Sequence, residues 1–205
     1  MVKVKVMNIA IIVFNDVEEL DAIGPWEVFQ TAANFSDKLS CKLISLDGKS
    51  VRANKGLVMG VHAAMDQKEF FDMILLPGGQ GTRQLIKDKA FQSSLQAYLS
   101  KATWITSVCS GSLVYAAMGL LKGRHCTSHH AVTKLLQEIE PEIILQDDQR
   151  FVRDGNFVTS AGVSAGIDMA LWLVGETHSP KLAKQVQRHI EYYPQPPFAD
   201  ETYML

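Results

Sequence analysis

The residues best suited to nucleophilic chemistry in this sequence are Cys109-Ser110-Gly111-Ser112. A thiol at a strand-to-helix turn sits beside unpaired N–H groups and the positive end of the helix dipole, and both favour thiolate over thiol. The small neighbours permit a sharp turn and leave room for a ligand. The same position also suits a buried packing cysteine, the common fate of an intracellular thiol. Carboxylates that could move the thiol's proton cluster at Asp16, Glu18, Glu19 and Asp21. Asp21 stands four residues before Pro25, in a polar turn whose helix runs on through Val28, Phe29, Ala32 and Ala33. A carboxyl near a thiolate can carry the proton that a nucleophilic cycle must move. By spacing alone Asp21 is one candidate among four, each of which also suits a solvated acid or a cap. Asp16 with Glu19 has capping-box spacing.

Two further segments bear on this chemistry. Pro77-Gly78-Gly79-Gln80-Gly81 is a glycine loop that fits neither GxxxxGK[ST] nor GxGxxG, so a nucleotide reading is rejected. Its backbone N–H groups can bind a developing negative charge, or the loop can be simply a tight turn. Cys126-Thr127-Ser128-His129-His130 brings thiol and imidazole together, but no fourth ligand follows at a zinc-site spacing. No metal is expected. A histidine here could reach Cys109, since Cys–His pairs activate thiols. His62, His125, His178 and His189 have no such setting and read as surface or packing residues, and Cys41 reads as core.

These groups need elements to position them. Residues 8–14 form a continuous apolar, β-rich run, as do 41–46, Met73–Leu76 and Trp104–Val108. Between them lie helical periods: Phe91, Leu95, Tyr98 and Leu99; Leu113, Ala116, Ala117, Leu120 and Leu121; Val132, Leu135, Leu136 and Ile139. Val163, Ile167, Leu171 and Val174 form another stripe, and Leu182, Val186 and Ile190 the last, opened by Ser179-Pro180 as N-cap and N1. Residues 150–160 read as a hairpin turning at Asp154-Gly155 or Gly155-Asn156. The pattern predicts a mostly parallel α/β sheet with helices on both faces and one small antiparallel hairpin. Ligands of such sheets bind at the carboxyl ends of the strands, where the carboxylates, the glycine loop and Cys109 all fall.

The chain has 205 residues, 47% of them hydrophobic, with 20 Lys+Arg against 22 Asp+Glu. It is read as a single domain over 1–205, with an extended Pro-rich tail from about 192, where three prolines in four residues forbid a helix. The net charge of −2 and the absence of a basic block argue against a nucleic-acid surface. No apolar stretch is long enough to span a bilayer, and no signal peptide is read at the N-terminus. Three cysteines without a CxxC pair are the thiol usage of a reducing compartment, so the cytoplasm is the expected home.

Leu76-Pro77-Gly78-Gly79, Ser107-Val108-Cys109-Ser110-Gly111-Ser112, Thr127-Ser128-His129 and the segment from Thr159 to Asp168 together resemble the DJ-1/PfpI superfamily over nearly the full length. That resemblance implies a flavodoxin-like fold. Leu20-Asp21-Ala22-Ile23-Gly24-Pro25 and Glu191-Tyr192-Tyr193-Pro194-Gln195-Pro196-Pro197-Phe198 are most similar to its isonitrile hydratase branch. The resemblance implies that Cys109 is the nucleophile and Asp21 the acid that hydrogen-bonds it, which selects Asp21 from the four carboxylates. It implies supporting roles for Ser110, where hydratases commonly have threonine, for the Gly79 N–H facing the cysteine, and for His129. Ser110 stands where proteolytic members carry histidine, which speaks against a peptidase. The implied activity is a cofactor-free hydro-lyase turning isonitriles into N-substituted formamides, acting on a small-molecule substrate as a homodimer. A glyoxalase-like enzyme of reactive carbonyls and a non-catalytic redox or ligand sensor are the rivals.

Overall fold

A computed structural model describes residues 6–66 and 68–195. In chain order its elements are β1 (Met7–Ile12), α1 (Glu19–Phe35), β2 (Leu39–Ser45), β3 (Val51–Arg52), β4 (Val58–Met59), β5 (Ala63–Ala64), β6 (Met73–Leu76), α2 (Thr82–Leu85), α3 (Lys89–Leu99), β7 (Trp104–Val108), α4 (Gly111–Ala117), β8 (His125–Cys126), α5 (Thr133–Ile139), β9 (Ile144–Leu145), β10 (Phe151–Asp154), β11 (Phe157–Ser160), α6 (Ala165–Thr177) and α7 (Pro180–His189). The main sheet runs β10-β11-β7-β6-β1-β2-β5. Only the β10–β11 pair is antiparallel. Helices α1, α6 and α7 pack together on one face and α2 to α5 on the other, which is the flavodoxin-like architecture read from the sequence.

The central strands β1 and β6 are buried almost throughout, as a sheet covered on both faces requires. The chain leaves β1 towards β2 on one side and returns to β6 on the other. The connections that follow β1 and β6 therefore run to opposite sides, the switch point at which sheets of this kind bind ligands. No helix of the described residues is long and apolar enough to cross a membrane.

Several boundaries differ from the sequence reading. Strand β1 ends at Ile12 rather than residue 14, and helix α4 stops at Ala117 because Gly119, at φ +72°, turns the chain left-handed. Leu120 and Leu121 of the predicted stripe lie in that turn. Val163 precedes α6, at φ +50°. The hairpin turns on Gly155-Asn156, with Gly155 at φ +62° in the first central position, the requirement of a type II′ turn. Ser179 caps α7, its hydroxyl accepting the Leu182 N–H at 3.2 Å. Residues 192–195 carry neither helix nor strand, and Pro196, Pro197 and Phe198 of the predicted extension lie outside the described residues.

Candidate active site

Cys109 occupies a strained turn between β7 and α4, with φ +57°, a region a non-glycine residue enters at a cost of about 1–3 kcal/mol. The surrounding structure holds it there from three sides. Its N–H donates to the carbonyls of Ser160 and Ala161, each at 3.1 Å. Its own carbonyl accepts the Ser128 hydroxyl at 2.8 Å, and Ser112 donates to Ser128 Oγ at 2.8 Å. Gly111 lets the turn sit against β6, since a Cβ there would lie 2.2 Å from the Leu76 carbonyl oxygen.

Asp21 lies inside the first turn of α1, which begins at Glu19; the expected polar turn before Pro25 is helix. Pro25 fits within this helix because the missing N–H deprives only the Asp21 carbonyl of its partner. The predicted Asp16–Glu19 capping box does not form. Asp16 sits at φ +60°, and the Glu19 carboxylate instead accepts the Lys55 N–H at 2.6 Å. The Asp21 side chain is fully buried, and Oδ2 accepts the Gly78 N–H at 2.9 Å. A Cβ at Gly78 would come within 2.9 Å of that oxygen and 2.5 Å of the Ser110 nitrogen, so glycine is what allows loop, carboxyl and elbow to meet. Oδ1 is sealed from solvent and meets no well-aligned donor among the described residues, yet the Asp21 and Cys109 side chains are close enough to perturb each other's ionisation.

Burial opposes the helix-end effect expected at this turn. Burial pushes the Cys109 thiol up to about 12, with the neighbouring Asp21 charge adding to it, and the opposing pull of the Ser110 N–H is smaller. A seven-residue helix places too little charge at its N-terminus to offset that desolvation. Burial likewise raises the Asp21 carboxyl to about 7, against the Gly78 hydrogen bond and with help from the Glu18 charge. Near neutral pH the pair is therefore a thiol beside a carboxyl balanced between its two forms.

The remaining expected residues converge here too, with changed partners. Gly79, at φ +122°, donates its N–H to Ser110 Oγ at 3.0 Å, so that N–H is committed to the hydroxyl rather than open beside the sulfur. The Ser110 N–H faces the thiol in its place. His129 lines the same cleft as Cys109, a space of about 170 Å³ that also includes Glu18, Asn54 and Arg83. Its Nδ1 accepts the Ala131 N–H at 3.1 Å, which leaves the neutral ring's proton on Nε2. Burial lowers the His129 pKa, so the ring is a hydrogen-bond donor to the cleft rather than a base for the thiol. It packs where a Cβ at Gly162 would sit, 2.1 Å from Cδ2. Among the described residues no three His, Cys, Asp or Glu side chains converge as metal ligands.

Cys41 and Cys126 are buried away from this cleft. Sequence reading missed the Ser128 hydroxyl on the Cys109 carbonyl and Ser112 behind it, and it missed Thr82 and Arg83, which bind the Gly79 carbonyl at 2.8 and 3.1 Å. Glu18, one of the four carboxylates considered from the sequence, also lines the cleft. Ser128 had a signal, since it adjoins His129 in a quoted motif; Arg83 had none.

The family model for the DJ-1/PfpI family matches residues 7–176. An isonitrile hydratase from Pseudomonas putida is 36% identical over 192 residues, covering 94% of this chain and 81% of that protein. The HTH-type transcriptional regulator GbdR of Pseudomonas aeruginosa is 31% identical over 149 residues, 73% of this chain but 40% of the regulator. The crystal structure of a ThiJ/PfpI family protein from Pseudomonas syringae superimposes with a TM-score of 0.86 at 31% identity, covering 97% of this chain and 81% of the other. With a family model matched over residues 7–176 and a relative 36% identical over 94% of the sequence, the chain belongs to the DJ-1/PfpI family.

Proposed function

We propose that this protein is a cysteine-dependent hydratase that converts isonitriles to N-substituted formamides, with Cys109 as nucleophile and Asp21 as proton carrier. The observation that carries the reading is the Cys109–Asp21 pair: a buried thiol against a buried carboxyl that titrates at about 7. Such a carboxyl can both take and return a proton at neutral pH, which is what a cycle with several proton transfers requires. The similarity to an isonitrile hydratase over 94% of the chain supports the substrate class.

The proposed cycle starts from R–N≡C, thiol and carboxylate. Asp21 takes the thiol proton as Sγ attacks the terminal carbon, and returns it to that carbon, giving a thioimidate, R–N=CH–S–Cys109. Asp21 then takes a proton from water as the hydroxyl adds to the same carbon, and passes it to nitrogen. The C–S bond of the tetrahedral adduct breaks as the C=O bond forms. The hydroxyl proton returns through Asp21 to sulfur, and R–NH–CHO leaves. One water is consumed, and residues and charges are restored. The Ser110 hydroxyl and N–H steady the developing sulfur anion, and His129 Nε2–H is available to the substrate.

A panel of isonitriles and methylglyoxal, assayed for formamide and for lactate, tests the proposal. Formamide production that Cys109→Ala abolishes, in a variant with an unchanged circular-dichroism spectrum, is the expected result. Turnover of methylglyoxal with no isonitrile consumed would replace the hydratase with the glyoxalase. Inertness to both, with clean oxidation at Cys109, would leave the sensor.

A further inference from the structure

The cleft above Cys109 is more polar than an alkyl isonitrile needs. It contains a carboxylate, a guanidinium and an imidazole, from Glu18, Arg83 and His129, and the amide of Asn54. The two charges are not equivalent. Glu18 is engaged by the Lys55 ammonium, so its charge is already answered. Arg83 is half-buried and meets no carboxylate among the described residues. Its Nη1 donates to the Gly79 carbonyl at 3.1 Å and to Thr82 Oγ1 at 3.0 Å. Those two bonds fix the guanidinium plane to the loop that packs on the Cys109 elbow. Nε and Nη2 keep donors with no acceptor among the described residues, beside a neutral imidazole that is itself a donor.

We infer that Arg83 is the anchor for a carboxylate on the substrate, and that the isonitriles this site takes carry that anion close to the reacting carbon. The geometry is that of a held, half-buried guanidinium lining the nucleophile's cleft, with no carboxylate of the described residues paired to it and the Glu18 charge there answered by Lys55. A carboxylate matches a guanidinium fork with two parallel N–H···O bonds, which a neutral substituent cannot make. The volume of about 170 Å³ favours a compact ligand with the carboxylate near the isonitrile group. Isocyanoacetate is the simplest member of that class. The inference deepens the hydratase reading and rests on Cys109 as its nucleophile.

The test uses two alkylating agents of nearly equal size, iodoacetate and iodoacetamide, with labelling of Cys109 followed at pH 8 by peptide mass spectrometry. In each reaction the Sγ–C bond forms as the C–I bond breaks, iodide leaves, and the thiol proton passes to buffer. The ratio of the two rates cancels any general change in thiol reactivity and reports the charge preference alone. Charge-assisted hydrogen bonds of this kind correspond to about 10–100-fold. The ratio of iodoacetate to iodoacetamide should therefore fall by at least about tenfold in Arg83→Gln and be largely kept in Arg83→Lys. Equal ratios in the wild type and Arg83→Gln would overturn the inference. In parallel, kcat/KM for isocyanoacetate should exceed that for its neutral methyl ester, with the difference lost in Arg83→Gln mainly through KM. An Arg83-dependent alkylation ratio without turnover of any isonitrile would sink the hydratase and keep the anion site. Turnover of both isonitriles alike, with a ratio indifferent to Arg83, would do the reverse.

Discussion

Replacing Asp21 by asparagine separates the chemical role of this carboxyl from its electrostatic one, because the two predict opposite signs. The change is nearly isosteric, and the amide oxygen can still accept the Gly78 N–H that Oδ2 accepts now at 2.9 Å. Burial pushes the thiol up to about 12, so only a small part of it is ionised at pH 8. The Asp21 charge is the second contributor to that value after burial, so its removal lowers the thiol's pKa. Each unit lowered multiplies thiolate about tenfold and reduces intrinsic nucleophilicity about threefold, a net gain of about threefold in alkylation rate. Turnover should move the other way, by about 10²–10⁴-fold downward, because no positioned group remains to carry the proton.

Stability supplies a third sign for the same variant. A carboxyl held at about 7 rather than 3.8 keeps its proton in the folded state while the unfolded chain loses it. Its favourable contribution is therefore fully present below about pH 4 and is lost as pH rises to about 7, a swing on the order of 4 kcal/mol. Asparagine has no such penalty, so Asp21→Asn should melt higher than wild type at pH 8, by about 2–4 °C per kcal/mol, and close to wild type at pH 4. Iodoacetamide labelling, formamide assay and calorimetry at the two pH values read the three signs. Labelling no faster than wild type, or turnover within a factor of two, would refute the pairing of these side chains.

Gly111→Ala should destabilise the fold by about 1–3 kcal/mol or more and slow every reaction of Cys109, because the new Cβ meets the Leu76 backbone at 2.2 Å and the elbow must shift; urea unfolding and labelling rates check it. A homodimer is expected, since Leu20 and Ile23 on α1 and Tyr193 near the C-terminal tail are large apolar side chains left exposed; light scattering should give twice the 22.7 kDa chain mass, and a 22.7 kDa particle at micromolar concentration would refute it.

How much of this could be read from residues alone depended on whether the relevant physics was local. Strand β6 and the Ser179 cap were legible because their signals, a continuous apolar run and a hydroxyl before proline, lie within a few neighbouring residues. The elbow was legible for the same reason, since small residues around Cys109 mark a turn. Helix α4 was drawn too long because Leu120 and Leu121 continue its period, while Gly119 ends it through one left-handed residue. Asp21 could not be chosen from its three acidic neighbours by spacing, since what distinguishes it is burial against Gly78, 57 positions away. The burial acting on Cys109 was hidden for a related reason. Its helix-end position predicts a lowered pKa, but the desolvation that raises it comes from side chains and strands distant in sequence, and a fully buried acid beside it adds to the rise. The same separation hid Arg83, which meets no carboxylate among the described residues, and on that the proposed anion site rests. A missing ion pair is a property of the assembled cleft, so charge in a sequence shows which residues can bind an anion, and only packing shows which one has been left open to do so.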